Sequence, residues 1–162
     1  MELHIWGRKE IESYFVVPGA ILRVIDSRWA RRTEPPTLEV IQNALDEVLD
    51  SLKDGIFDGI ATSIQAQDRS LTTSSVNKKA RTKVEEAWRT RAGRIAIAPG
   101  KTVISRLSDW SQHEFGVSFG PRTIAQEMVA LEFDQEVISF LSALEEGERL
   151  HAVFPTATAT VL

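Results

Sequence analysis

Leu38–Leu52 reads LEVIQNALDEVLDSL, and its apolar residues decide the fold class. Leu38, Ile41, Leu45, Val48 and Leu52 recur at steps of three and four. That is the spacing of one helix face. Thr37 stands in front as an N-cap. Glu34-Pro35-Pro36 stops whatever comes before it. Upstream, Pro18 suits the first turn of a helix reaching about Arg32, with Ile21, Leu22, Ile25 and Trp29 on one side. Further upstream, Leu3-His4-Ile5-Trp6 is a short apolar run ending at Gly7, which the pattern predicts as a strand.

Downstream the helical pattern continues. Gly55 and Gly59 punctuate it before a helix over Ile60–Gln67. Asp68–Ser75 is a polar loop, with Ser74 or Ser75 capping a basic helix that ends near Arg91. This helix has Val76, Ala80, Val84, Ala87 and Trp88 to bury. Arg94–Ala98 alternates enough to predict a second strand. Helices follow over Thr102–Glu114 and from Pro121 to about Leu131. A last one, capped by Asp134, ends near Gly147. The expected fold is therefore mostly α, a helical segment with two short strands. Two lone strands do not make a stable sheet. They read as edge pieces of a sheet completed by other segments. Residues 1–17 are then a remnant of an α/β domain, 18–147 a helical domain with a strand near 94–98, and 148–162 a flexible tail.

The chain has 162 residues and is 43% hydrophobic, enough for one domain with a core. It has no cysteine, which excludes disulfides and thiolate chemistry and suits a cytoplasmic location. Its three histidines lack paired ligand spacing. No apolar run is long enough to span a membrane. The net charge is −4, but it is segregated. Between residues 78 and 106 lie Lys78, Lys79, Arg81, Lys83, Arg89, Arg91, Arg94, Lys101 and Arg106, against only Glu85 and Glu86. That segment is +7 and the remainder −11, a distribution that favours a polyanion such as DNA on one face.

Two motifs carry chemistry. Pro99-Gly100-Lys101-Thr102 resembles the end of a phosphate-binding loop. The glycine required five residues before Gly100 is replaced by Ile95, so no ATP site is expected. Lys101 still stands at a helix start, where amides and an ammonium together favour an anion. The other motif is the Glu10/Glu12 pair just after the first strand. Carboxylates in that place suit Mg²⁺ or Mn²⁺. They equally suit the start of a helix.

Three blocks, LHIWGRKEIESYFVVPGAI, EEAWRTRAGRIAIAPGKTVISRLSDWSQHEFGVSF and DQEVISFLSALEE, resemble in order and spacing the C-terminal portion of the OLD (overcoming lysogenization defect) family of ATPase-associated TOPRIM nucleases. The resemblance covers Leu3 to about Glu146. It implies metal-dependent cleavage or nicking of DNA, in defence against phage or plasmid. Glu12 matches the family's acid, with Glu10 the second candidate, as ligands of Mg²⁺ or Mn²⁺. Lys101 matches the lysine that stabilises charge on the scissile phosphate. Ser13 replaces the usual asparagine. The family's first glutamate and its Asp-x-Asp pair belong upstream, as does the ATPase half, so the chain is expected to be inactive alone and to need that half as a partner. A different reading is a non-catalytic helical module binding nucleic acid or a protein. A homo-oligomer formed through the Leu38–Leu52 face is a third expectation.

Overall fold

The Leu38–Leu52 stripe is helical, and its inner face is sealed: Ile41, Leu45 and Leu49 have no exposed surface. The computed structural model describes residues 7–30 and 34–153, with side chains through residue 145. Within them run α1 (Pro18–Arg28), α2 (Leu38–Ser51), α3 (Lys53–Gln67), α4 (Thr73–Ala87), α5 (Arg91–Ile97), α6 (Gly100–Phe115), α7 (Pro121–Glu127) and α8 (Gln135–Val153). Two 3₁₀ turns, Ile11–Phe15 and Ala130–Glu132, complete the order. No strand occurs among the described residues.

Local chemistry sets several boundaries. The Thr37 hydroxyl accepts from the Val40 amide at the start of α2. Thr72 does the same for Ser75 at the start of α4, two or three residues before the serines expected there. Gly116 closes α6 in the left-handed region, at φ 71°, which a residue with a Cβ enters only at a cost. Gly55 and Gly59 do not break α3, which starts directly after Leu52. The backbone of α8 runs on to Val153, through the first part of the expected tail.

α1 packs on α2 and α7, and α2 packs on α6. Ile21, Ile25, Ile41, Leu45, Val103, Leu107 and Ile124 from these four helices fill the core. α3 and α4 form a helical hairpin on its flank. Ile56 and Val84 tie it in, and α4 also packs on α5. No helix among the described residues is long and apolar enough to cross a membrane.

Three expectations need correction. Arg94–Ala98 is not a strand: Arg94–Ile97 falls in α5 and Ala98 is its C-cap. The Thr90 hydroxyl accepts from the Gly93 amide at 3.0 Å and starts a helical turn there. Helical spacing then gathers Arg91, Arg94, Ile95 and Ala98 on one face, where Ile95 and Ala98 are buried and the two arginines reach Asp46 of α2. Ala98, forced extended by Pro99, ends it. The apolar stripe of Leu38–Leu52 is mostly not an exposed dimer face, because α6 and α1 pack on α2 and Ile41 and Leu45 are buried, with Leu38 left exposed. The third concerns the sheet: with Arg94–Ile97 helical and Leu3–Trp6 outside the described residues, nothing described here is an edge strand of a TOPRIM domain.

Across the α2–α5 junction Asp46 receives two hydrogen bonds from Arg91, at 3.0 and 2.7 Å, and forms an ion pair with Arg94 at 3.0 Å. The hydrogen bonds from Arg91 hold the Asp46 carboxyl below the usual value of 3.8, against the opposing effect of burial and with help from the Arg94 charge. A depressed carboxylate stabilises the fold above its unfolded pKa and loses that contribution as pH falls through the folded one. Asp46→Asn is expected to lower unfolding free energy by about 1–2 kcal/mol at neutral pH, a partly solvated pair being worth less than a buried one. The difference from wild type should shrink as urea melts are repeated below about pH 4.

Candidate functional site

The acidic pair lies in the short segment before α1. Lys9 donates its backbone N–H to the Ala96 carbonyl at 2.9 Å, laying this segment along α5. Glu10 is extended and heads the 3₁₀ turn, while Glu12 is half-buried within it. The Glu10 carboxylate accepts the Lys101 amide at 3.0 Å, across 91 residues. Pro99, the N-cap of α6, has no side-chain acceptor of its own. Glu10 therefore supplies the missing cap, where the helix dipole also favours an anion.

The same junction explains Gly100. A Cβ there would lie 2.3 Å from the Ser13 nitrogen and 2.7 Å from the Glu12 carbonyl carbon. Ser13 is fully buried and its hydroxyl donates to the Ala98 carbonyl at 3.3 Å. Gly100 is thus required by close approach of two backbones rather than by a phosphate.

On the other side, the segment is clamped by the start of α8. Arg8 donates to the Asp134 carboxylate at 2.8 Å and to the Ser13 carbonyl at 2.7 Å. Its guanidinium lies 4.4 Å from the centre of the Tyr14 ring. Glu136 accepts the Gly7 amide at 2.9 Å and also the buried Tyr14 hydroxyl. Burial, then the Glu136 bond, raises the Tyr14 pKa above its ordinary 10.0. Asp134 is depressed, first by the bond its carboxylate accepts from the Glu136 amide, with burial opposing and Arg8 assisting. Sequence reasoning found Asp134 as a helix cap but missed Arg8, Tyr14 and Glu136. Their partners lie more than a hundred residues away, and no local spacing signals them.

Glu10, Glu12 and the Lys101 backbone therefore meet, and the Lys101 side chain stands exposed beside them. One Glu10 oxygen is engaged by an amide, and no group of three or more His, Cys, Asp or Glu among the described residues could hold a metal. These carboxylates do not by themselves fit a Mg²⁺ or Mn²⁺ centre.

The basic residues divide. Arg91 and Arg94 are spent on Asp46, and Arg94 also lies 3.5 Å from Asp50. Arg106 donates to the Ser51 hydroxyl at 2.7 Å. Lys78, Lys79, Arg81, Lys83 and Arg89 remain exposed on and just after α4. No protein-family model matches the chain, and neither does any curated protein or solved structure.

Gly100→Ala is expected to destabilise the protein by at least about 2 kcal/mol, since the obstructing atoms are backbone. Gly55→Ala, where a Cβ meets nothing within 4 Å, should be neutral or stabilising by up to about 1 kcal/mol. Thermal melts of the two variants beside wild type measure the contrast.

Proposed function

We propose that this chain acts as the C-terminal helical part of an OLD-like TOPRIM nuclease that cleaves or nicks DNA in anti-phage or anti-plasmid defence. One observation carries the reading. The first of the three blocks behind the resemblance meets both of the others at a single junction: Arg8 reaches Asp134, and Glu10 reaches Lys101. The residues that the resemblance nominates therefore lie in one structural unit, which is what supports the reading.

In this reading the chain supplies support and DNA contact rather than a complete metal centre. Glu10 holds the start of α6. Glu12 remains the carboxylate, and Lys101 the cation, that the resemblance nominates at the reacting phosphate. The missing acids would come from a TOPRIM segment carrying the family's glutamate and Asp-x-Asp. A second reading, a non-catalytic module that only binds nucleic acid, is favoured by the exposed lysines of α4.

Nicking of supercoiled plasmid in Mn²⁺ separates the two. The chain alone should leave plasmid intact. Joined to such a TOPRIM segment it should nick, and Glu12→Ala with Lys101→Ala should cut the rate by on the order of a hundredfold. Full nicking by the double variant overturns the site assignment. DNA binding without nicking, even with the added segment, supports the second reading.

A further inference from the structure

The basic segment is not one surface, and its free part gains a lysine from elsewhere. A cleft of about 360 Å³ opens where the N-terminal segment, α3, α4 and α5 meet. Its rim carries two exposed ammonium groups, Lys9 and Lys83, from positions 74 residues apart in the sequence. Ser63 adds a hydroxyl, and Ile60 and Ile97 contribute apolar wall. Arg8 also borders the cleft, but its guanidinium is held by Asp134 and the Ser13 carbonyl.

Lys83 also borders a second, shallower groove along α4, with Lys78, Lys79, Ser75 and Thr82. Glu86 is the one carboxylate lining either depression. Lys79 and Lys83 are four residues apart, about 6 Å along the helix axis. Lys9, Lys83, Lys79 and Lys78 therefore flank two depressions that share Lys83.

We propose that this track binds the phosphate backbone of DNA, with Lys9 and Lys83 gripping one phosphodiester in the cleft and Lys78 and Lys79 following the strand. The inference rests on the DNA-acting reading above and identifies the surface that reading uses. A series of cations suits a series of anions better than a single small one. Lysine ammonium groups act as point charges without a fixed fork, and hydroxyls beside them are common phosphate donors. No aromatic ring lines either depression to stack a base. The contact should therefore be indifferent to base sequence.

Lys9→Gln combined with Lys83→Gln tests it, both side chains being exposed and so replaceable without disturbing the core. Binding of a labelled duplex of about 30 base pairs is followed by anisotropy across a salt series. The wild-type chain should bind unrelated duplexes equally. The double variant should bind on the order of tenfold more weakly at low salt, with a log–log salt slope shallower by about one, because the pair neutralises one phosphate. Arg122→Gln, exposed on α7, should match wild type. A double variant with unchanged affinity and slope overturns the cleft while leaving DNA binding itself standing. No duplex binding by the wild-type chain overturns both. Competition by poly-glutamate as effective as by unlabelled duplex points to an acidic protein and overturns the assignment to DNA.

Discussion

The carboxylate of Glu10 on the amide of Lys101 is the contact on which the arrangement turns. α6 starts at Gly100, directly behind a proline that offers no side-chain acceptor. Without an outside acceptor its first amides would be left to solvent. The 3₁₀ turn Ile11–Phe15 brings one, and it can come close enough only because residue 100 has no side chain. α6 then carries Val103, Ile104 and Leu107 into the core, against α2. A contact formed by one early residue thus fixes the seat of a central helix.

The same segment is loaded with charge for a related reason. Gly7–Phe15 is short, lacks an α-helix and has little backbone bonding of its own. It is held by groups reaching in from both sides. Ala96 and Lys101 take hold through Lys9 and Glu10, and Asp134 and Glu136 through Gly7, Arg8 and Tyr14. Glu10, Asp134 and Glu136 each meet an amide, a hydroxyl or a guanidinium. Charge-assisted bonds of this kind are stronger than neutral ones, which lets a short segment be defined without a sheet.

Legibility in the sequence followed the length of the signal. The Leu38–Leu52 stripe is long enough for a 3.6-residue period to be unmistakable, and it is a helix. RAGRIAIA is too short for that. Ile95 and Ile97 alternate as in a strand, while Arg91/Arg94 and Ile95/Ala98 are spaced as in a helix. The Thr90 cap and, in another element, Asp46 and Asp50 show which pattern is used. The site was half legible for the same reason. Glu10, Glu12 and Lys101 stood out as chemical types, yet the atom of Lys101 that meets Glu10 is its amide. Side-chain identity carries no trace of that.

The division of the basic residues shows why net charge alone misleads. The arginines of α5 turn inward, where a planar fork can meet Asp46 with two bonds at once. The lysines of α4 stay in water, where a compact ammonium is best hydrated. Arg91 and Arg94 are consumed in joining α5 to α2, so they are not part of the field offered to a ligand. What remains outward is lysine-rich and separated from the acids that balance the arginines. Such a surface can attract a polyanion over a distance set by the screening length, and it can do so without dictating sequence. The fold has thus sorted a charged segment into an arginine part that builds structure and a lysine part left available for binding.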